Sequence, residues 1–402
     1  MRFNILFITL VQIESIYDRG IYTDLIRKLS AEGHSVFVVC PVERRYNKHN
    51  FIKVEGNVKI LYVKTFNIQK TNIFEKVVSI LTINYFFTTA IKNYLDETVF
   101  HLILYSTPPI TITKLIQVLK HKYSAKTYLL LKDIFPQNAV DMGMFSNSGV
   151  IHNYFRKQEI KLYEISDYIG CMSKKNIEYV LKNNPYLEHS KVELNPNSIE
   201  IESRQIVRTS EIRAKYGLPL NTTIFIYGGN LGIPQGIEFL IEVLNSNKSR
   251  NDCFFLIVGS GTEYKKIESF IKKINSKNSR LLGYLPKNEF DELLSTADVG
   301  LVFLDYRFTI PNFPSRLLSY LEFKIPVLLA TDVSTDIGAI AEENNFGLWA
   351  QSNDISTFNT HLNFFLENKK LRIKMGEAGF DFLKKNYSIS ISYEKIISKI
   401  DV

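Results

Sequence analysis

Glycines at the end of an apolar run in the second half of the chain would let a phosphate come close to the backbone. The residues of this turn are Gly229, Asn230, Leu231 and Gly232. Glycine has no side chain to keep a ligand away, and the free N–H groups at the start of a following helix attract an anion. The turn enters a helical pattern near Gln235, so we predict an anion site here. Glycines that serve only the tight turn are the alternative.

A proline-rich loop leads to a second group of phosphate-binding residue types. Pro314, Ser315 and Arg316 stand where the helical run LLSYLEF begins. A hydroxyl and a guanidinium both donate well to phosphate oxygens. Arginine is disfavoured at a helix N-terminus, on dipole grounds, unless an anion offsets its charge. We therefore predict that Arg316 holds a diphosphate, with Arg307 as a weaker candidate and a solvated first-turn arginine as the alternative.

A charged pair follows a buried run in the first half of the chain. Lys132 and Asp133 come directly after KTYLLL, and Pro136 then forces a turn. In doubly wound sheets, ligands bind beyond the carboxyl ends of the strands. We predict a functional role for this pair, and a structural role is the alternative.

Other chemistries lack their motifs. The sequence has no HExxH, no GxSxG and no P-loop, and its seven histidines are dispersed without metal-ligand spacing. The run VGSGTEY is similar to a dinucleotide fingerprint, but Tyr264 replaces the third glycine, so a strand-to-helix turn is the better interpretation. We therefore expect no bound metal and no cofactor. No known nucleic-acid-binding module is present in the sequence, so nucleic acid is not expected as a partner.

Strand-like and helix-like runs alternate along the chain, and they predict the elements that position these residues. The helical runs of the first half lie at 21–33 and 112–123. The strand-like runs lie at 3–11, 35–42, 99–106, 126–134, 222–230, 253–261, 279–285, 298–305 and 325–331. Continuous apolar strands that alternate with helices predict an α/β fold with doubly wound parallel sheets.

The strand–helix pattern restarts near residue 220, which predicts two Rossmann-like domains facing a cleft. We predict a first domain over 1–200, a second over 201–375, and a C-terminal helical segment over 376–402 that packs back on the first domain. The polar, weakly patterned residues 201–221 are assigned as the linker and the entry to the second domain.

Charge and composition narrow the class of protein. The 402-residue chain has a formal net charge of +8, and residues 1–200 hold 25 Lys and Arg against 18 Asp and Glu. This half is expected to meet an acidic partner, such as an anionic membrane or a phosphorylated substrate; scattered solubilising lysines are the alternative. Three distant cysteines and no run of 18 apolar residues predict a cytoplasmic protein that is soluble or peripheral.

The aromatic run 74–95 is expected to be a core helix, or else a face that contacts an acceptor or a membrane.

Several of these motifs together resemble one enzyme family. The matching segments are GGNLGIPQGI, FLIVGSG, LLGYLPKNEF, PSRLLSYLEFKIPVL and KDIFPQ. They are similar to family 4 glycosyltransferases of the GT-B fold, in the branch that builds bacterial O-antigens and capsules and includes N-acetylfucosamine transferases. The resemblance implies retaining transfer from a nucleotide-diphosphate sugar, with no required metal. It places the sugar donor against the second domain and the acceptor against the first.

The resemblance also assigns roles by position, with Asp133 and Arg316 as the catalytic residues. Donor-binding roles fall to Gly20, Gly229, Asn230, Leu231, Gly232, Gly283, Tyr284, Leu285, Pro314, Ser315, Ser319 and Glu322. Of these, Gly283 to Leu285 would border the base, and Ser315 and Arg316 would hold the phosphates. Arg19, Tyr22 and Lys132 would face the sugar or the acceptor.

The sequence departs from the family pattern at four positions. Many members carry an Arg and a Lys where Asn230 and Gln235 stand here, so two phosphate-binding charges are missing. Many also carry two glutamates where this chain has Pro311 and Ser319. Ser319 would contact the ribose more weakly than a glutamate, and Glu322, about one turn later, is the possible substitute.

The predicted function is retaining transfer of a sugar, UDP-linked by family resemblance, to a polyprenyl-diphosphate-linked oligosaccharide. The enzyme would act in O-antigen or capsule synthesis, as a peripheral protein on the inner face of the bacterial cytoplasmic membrane, whose surface is anionic. A non-catalytic GT-B partner subunit that binds glycan or stabilises a transferase is the main alternative. A GT-B epimerase is a third reading, but the sequence offers no set of carboxylates and histidines for its proton transfers.

Overall fold

The computed structural model describes residues 1–68, 73–202 and 210–400, and the chain divides into two compact units. Unit 1 comprises Met1–Glu200 together with Ile389–Val402, and unit 2 comprises Ile201–Ser388. Residues 203–209 of the predicted linker lie outside the described residues, as do 401 and 402 of the predicted C-terminal segment.

Unit 1 is built on a sheet that is parallel except at one edge. Its strands are β1 (Asn4–Ile8), β2 (Ser35–Glu43), β3 (Phe51–Glu55), β4 (Val58–Thr65), β5 (Leu102–Ser106), β6 (Lys126–Leu131), β7 (Tyr168–Cys171) and β8 (Val192–Leu194). Within the described residues the strand order is β3-β4-β2-β1-β5-β6-β7-β8, and only β3 runs antiparallel to its neighbour. The order reverses between β1 and β5, so ligands are expected beyond the carboxyl ends of these central strands.

Helices cover this sheet. They are α1 (Ile21–Ala31), α2 (Ile73–Leu95), α3 (Thr113–Tyr123), α4 (Gln137–Asp141), α5 (Val150–Ile165) and α6 (Lys174–Asn183). The apolar side chains of β1 are buried, and Phe7 packs edge-on against Tyr22 of α1. A continuous apolar strand is stable here because both faces of a parallel sheet are covered.

Helix α2 contains the aromatic run singled out in the sequence, and its two faces differ. Ile83, Phe87 and Ile91 are buried, which confirms the core-helix interpretation for that face. Leu81 and Tyr85 on the other face are exposed. None of the described helices is long and apolar enough to cross a membrane.

Unit 2 is a second, fully parallel sheet with helices. Its strands are β9 (Thr223–Asn230), β10 (Cys253–Ser260), β11 (Ser279–Leu282), β12 (Val299–Phe303), β13 (Val327–Thr331) and β14 (Gly347–Gln351). Its helices are α7 (Ser210–Lys215), α8 (Ile237–Ser246), α9 (Tyr264–Lys273), α10 (Lys287–Leu294), α11 (Arg316–Glu322), α12 (Ile337–Glu343), α13 (Ile355–Glu367) and α14 (Lys369–Asn386). The strand order in the described part is β11-β10-β9-β12-β13-β14, which reverses between β9 and β12.

The C-terminal segment corrects the predicted boundary at residue 375. Residues 376–386 belong to α14, which packs on α11 within unit 2 so closely that a Cβ on Gly376 would lie 2.0 Å from the carbonyl oxygen of Lys324. Only the last helix, α15 (Ile389–Ile397), groups with unit 1, where it packs against α1. The hydroxyl of Tyr393 lies 3.1 Å from Nε2 of His34 there. The second unit therefore extends to Ser388.

Candidate functional site

In unit 2 the carboxyl ends of β9 and β12 form the edge at which ligands are expected, and a tyrosine fixes helix α11 there. The Tyr320 hydroxyl accepts a hydrogen bond from the Gly228 N–H at 3.0 Å and lies 3.2 Å from the carbonyl oxygens of Ile226 and Leu301. Gly300 makes room for it, because a Cβ there would lie 2.5 Å from the Tyr320 ring. Arg316, about one turn before Tyr320, is thereby held at this edge of the sheet.

The Arg316 guanidinium is held by neutral groups. Its Cζ lies 4.2 Å from the centre of the Tyr227 ring, and its Nη2 donates to Oε1 of Gln235. A Cβ on Gly229 would lie 3.5 Å from Nη2, so the glycine turn and the guanidinium are in contact range. Nη1 is buried and has no hydrogen-bond partner among the described residues. An unpaired buried N–H is costly, and such groups are retained where a ligand supplies the acceptor.

Arg307, the weaker candidate, is held by an acid instead. Its Nε lies 2.8 Å from Oδ1 of Asp305 and its Nη2 lies 2.9 Å from Oδ2. Asp305 is 5% exposed, and its N–H donates to the Pro234 carbonyl oxygen at 3.1 Å. The bidentate pair compensates the charge of Arg307, so this arginine serves the loop rather than an anion.

The two glycine loops at the ends of β9 and β10 are joined backbone to backbone. The Leu231 N–H donates to the Ser260 carbonyl oxygen at 2.9 Å, and the Glu263 N–H donates to the Leu231 carbonyl oxygen at 2.9 Å. A Cβ on Gly259, whose φ is +155°, would lie 1.8 Å from the Gly229 carbonyl oxygen. The glycines of VGSG are therefore needed for this close approach, which agrees with the predicted strand-to-helix turn.

Two predicted donor-binding residues are corrected by their burial. Leu231 is 0% exposed and packs in the core of unit 2, so its side chain does not face a ligand. Glu322 is 4% exposed, and its Oε1 accepts a hydrogen bond from the Glu202 N–H at 3.2 Å. Its carboxylate holds the start of unit 2 and does not replace the missing ribose-binding glutamate.

The predicted helix starts also differ from expectation. The turn after Gly232 is a 3₁₀ turn over Ile233–Gln235, and α8 begins only at Ile237. Helix α11 has seven residues, and Ser315 before it is exposed without a side-chain capping bond. The anion-binding capacity of this edge therefore rests on the Arg316 side chain more than on helix dipoles.

The remaining predicted residues of unit 2 lie at or near the same edge. Asn230 is exposed beside Gly229, and Pro314 and Ser319 are half-buried around α11. Gly283, Tyr284 and Leu285 follow β11, two strand spacings or roughly 10 Å from β9. Tyr284 is 75% exposed, so its ring is open to a stacking partner.

In unit 1 the predicted pair Lys132–Asp133 follows β6, and the backbone of both residues is fixed by Thr107 after β5. The Thr107 Oγ1 accepts N–H groups from Lys132 at 3.0 Å and from Asp133 at 3.2 Å. Burial raises the pKa of Asp133 to about 6, although Asn138 donates to its carboxylate at 2.7 Å. Burial also lowers the pKa of Lys132 to about 7. Both groups therefore titrate near neutral pH.

Lys132 and Tyr22, both predicted to face the sugar or the acceptor, line one pocket of unit 1. The other lining residues are Ile21, Leu25, Leu130, Pro196, Asn197, Ser198, Ile389 and Ser392. The Lys132 amine lies 3.5 Å from the Asn195 carbonyl oxygen. The amide oxygens of Asn195 and Asn197 are buried without a hydrogen-bond partner among the described residues. Asp133 does not line this pocket.

The N–H of Gly20, which precedes α1, is hydrogen-bonded within the chain. The Gly20 N–H donates to Oδ1 of Asp24 at 3.1 Å, and Asp24 is 1% exposed. Asp24 also pairs with Arg27 at 2.6 Å. Arg19 donates from Nη2 to the Glu200 carbonyl oxygen at 2.8 Å. The Gly20 N–H is therefore already bonded to a carboxylate of unit 1, and its donor-binding role stays a prediction.

Comparison with known proteins finds a family match over most of unit 2. Residues 208–382 match the family model of glycosyl transferases group 1. This region is therefore similar to group 1 glycosyltransferase domains. The Arg316 edge, including β9, β12 and α11, lies wholly inside it.

One curated relative extends the likeness beyond residues 208–382, and a second matches a shorter part of the chain. The protein named "Probable glycosyltransferase WbjE" of Pseudomonas aeruginosa is 23% identical over 300 residues, which are 73% of this chain and 72% of that protein. The protein named "Putative colanic acid biosynthesis glycosyl transferase WcaI" of Escherichia coli K12 is 26% identical over 151 residues, or 37% of each chain.

Solved structures resemble the chain over nearly its whole length. Sucrose-phosphate synthase from Thermosynechococcus elongatus has a TM-score of 0.78 at 15% identity, over 99% of this chain and 98% of that one. HepE of Anabaena, solved in complex with UDP, has a TM-score of 0.70 at 11% identity, over 99% of both chains. The predicted GT-B fold, with two Rossmann-like domains, is confirmed.

Sequence reasoning missed the residues that hold Arg316 and Gly20. Tyr227 reads as one more apolar strand residue, and Gln235 stands 81 positions from its partner, so neither carries a local signal. Asp24 does carry one, since an acid in the first turn of a helix is favoured by the N–H groups there.

Proposed function

We propose that the chain transfers a sugar from a nucleotide-diphosphate sugar, UDP-linked, to a polyprenyl-diphosphate-linked oligosaccharide. The observation that carries this proposal is the Arg316 guanidinium, with a buried Nη1 that lacks a partner among the described residues, beside Gly229 in the region that matches the group 1 family model. A diphosphate offers the oxygens that this group lacks. The complex of HepE with UDP supports the choice of nucleotide.

The proposed reaction retains the configuration of the sugar. The bond from the anomeric carbon to the diphosphate oxygen breaks, and the acceptor hydroxyl oxygen bonds to the same face of that carbon. The acceptor proton passes to the departing diphosphate, so no metal and no cofactor is called for. Arg316 would stabilise the charge that develops on the leaving group, which is the form of catalysis expected from a fixed donor.

The acceptor side of the proposal rests on unit 1. Lys132, Asp133 and Tyr22 offer groups that titrate or hydrogen-bond to hydroxyls, and residues 1–200 carry the basic surplus that suits a lipid diphosphate on an anionic membrane. The name of WcaI supports a role in bacterial surface polysaccharide synthesis. We place the enzyme on the inner face of the cytoplasmic membrane.

Transfer assays test the proposal directly. The purified chain is incubated with a panel of UDP- and GDP-linked sugars and a polyprenyl-diphosphate-linked saccharide, and the product is identified by mass spectrometry. We expect transfer from one donor, with the anomeric configuration retained by nuclear magnetic resonance. Absence of transfer from every donor, together with no thermal shift with UDP or GDP, contradicts the proposal.

A non-catalytic partner subunit is the second candidate, because a specific observation favours it. Pro311 and Ser319 replace two glutamates of the family pattern, and the buried Glu322 does not substitute for them. Co-purification with a second transferase, combined with no nucleotide binding, is the result that would favour this function.

A further inference from the structure

Gln235 reaches Arg316 from a turn whose backbone leaves it little freedom. The Gln235 N–H donates to the Gly232 carbonyl oxygen at 2.9 Å within the 3₁₀ turn. The next residue, Gly236, has φ +59°, and a Cβ on it would lie 2.9 Å from the Leu304 carbonyl oxygen. The close approach to the end of β12 therefore fixes the turn, and with it the place from which the Gln235 amide accepts from Arg316.

Tyr227 holds the flat face of the same guanidinium. Its ring is fully buried, and its hydroxyl donates to the Asn230 carbonyl oxygen at 2.7 Å, so the ring cannot swing away. A guanidinium stacks well on an aromatic face because the ring quadrupole attracts the cation. The face and Nη2 of Arg316 are thus both occupied, and Nη1 is left over.

The chemistry of these partners separates Arg316 from the neighbouring Arg307. An amide oxygen and a phenol ring orient the guanidinium but leave its full positive charge. The carboxylate of Asp305 orients Arg307 and cancels its charge. A carboxylate at position 235 would compete with phosphate oxygens for the same donors, whereas the neutral amide does not.

We propose that Gln235 and Tyr227 are positioning residues, which preset the Arg316 guanidinium so that Nη1 receives an oxygen of a nucleoside diphosphate. The proposal rests on the proposed function and adds to it the device that replaces the two missing phosphate-binding charges. The Arg316 side chain loses its conformational freedom when the protein folds and not when the ligand binds. This single arginine therefore binds a diphosphate more tightly than a mobile arginine would.

Calorimetric titration of the full chain with UDP, inorganic pyrophosphate and uridine tests this device. We expect Gln235→Glu to weaken UDP and pyrophosphate binding about 10–100-fold and to leave uridine binding within about twofold, because uridine has no phosphate. Gln235→Ala, which adds no charge, should weaken UDP binding about 3–10-fold. Gln351→Glu at the end of β14 makes the same chemical change in the same unit and should leave all three affinities unchanged.

A double-mutant cycle separates positioning from a general effect of charge. If Gln235 acts through Arg316, then the uncharged change Gln235→Ala has no further effect on UDP affinity in a chain that already carries Arg316→Ala. Additive losses, or an equal loss of uridine affinity, would overturn the proposal. So would wild-type UDP affinity in Gln235→Glu.

Tyr227 is tested by a conservative pair. Tyr227→Phe keeps the ring and should hold UDP affinity within about threefold, whereas Tyr227→Leu removes the stacking face and should cost about tenfold. Equal effects of the two changes contradict the positioning role of the ring. If the wild-type chain binds neither UDP nor GDP and transfers no sugar, the proposed function is refuted. If the wild-type chain binds UDP and transfers a sugar, but Gln235→Glu has wild-type UDP affinity, only the positioning role is refuted.

Discussion

The two parallel sheets each carry charge at the edge where the strands end, but the charge behaves differently in the two units. In unit 2 it is Arg316, and an arginine guanidinium keeps its proton at any pH a protein tolerates. In unit 1 it is Lys132 and Asp133, whose pKa values burial has moved to about 7 and about 6. One edge holds a fixed charge and the other holds two groups that change charge near neutral pH.

The difference follows from what surrounds each group. Arg316 is oriented by an aromatic face and an amide, which stabilise a cation without discharging it. The Lys132 amine lies 3.5 Å from a carbonyl oxygen, and no carboxylate contributes to its pKa shift in the described part of unit 1. Burial without an ionic partner favours the neutral form of both acid and base. The edge of unit 2 is therefore suited to bind an anion. The edge of unit 1 is suited to exchange a proton or to bind a hydroxyl group.

Loss of the fixed charge is expected to have the largest effect. Arg316→Ala should weaken UDP binding about 30–100-fold, because one charge-assisted hydrogen bond and the positive charge itself are removed. Calorimetry measures this loss, with Arg307→Ala as the control that stays within about threefold. Equal losses in the two variants would break the distinction between the two arginines.

The structural role of Arg307 gives the next largest effect. Arg307→Ala leaves the carboxylate of Asp305 buried without its bidentate partner, which should lower the free energy of unfolding of unit 2 by about 1–2 kcal/mol. Arg316→Ala removes the hydrogen bond to Gln235 and the contact with the Tyr227 ring, but it also removes the buried Nη1 that has no described partner, so it should lower the free energy of unfolding by less. Urea unfolding followed by the fluorescence of Trp349 reads unit 2 alone, because this is the single tryptophan of the chain. Greater destabilisation by Arg316→Ala than by Arg307→Ala would reverse the assignment.

Much of this architecture can be predicted from the sequence, because the buried strands are continuous apolar runs. Strands β1 and β9 follow directly from such runs, and the glycines after β9 locate the edge. The predicted boundary at 375 is misplaced because the amphipathic pattern of the C-terminal residues does not indicate which surface they will cover. Gly376 contacts the Lys324 carbonyl and so connects α14 to unit 2. This is a tertiary contact, which local sequence patterns do not show.

The sequence predicts the residue types of the site better than it predicts which residues contact one another. Arg316 stands out because a cation at a helix start is unfavourable without an anion. The sequence motif groups Leu231 with its glycine neighbours, but burying a leucine side chain contributes roughly 1.5–3 kcal/mol, and that gain turns the side chain into the core. The contact between Gln235 and Arg316 joins residues 81 positions apart, so periodicity and local motifs carry no trace of it.

The titrating edge of unit 1 gives the smallest effect, and its sign is specific. Because burial raises the pKa of Asp133 from 3.8 to about 6, the folded chain holds this proton more tightly than the unfolded chain. Wild-type stability should therefore fall relative to Asp133→Asn as pH rises from about 4 to about 6, and the difference should stay constant above that. We expect a change of about 1 kcal/mol, which is less than the full pKa shift corresponds to, because Asp133 is half-buried as a residue.

The lowered pKa of Lys132 predicts the opposite slope in a different window. The folded chain holds this proton less tightly, so wild-type stability should rise relative to Lys132→Met as pH increases from about 7 to about 10. Urea unfolding by far-ultraviolet circular dichroism, corrected for the part that Trp349 fluorescence assigns to unit 2, measures both differences. Asp332 at the end of β13, whose pKa burial also raises to about 6, is present in every chain compared and cancels. Flat differences in both windows would mean that the edge of unit 1 holds fixed charges, as the edge of unit 2 does.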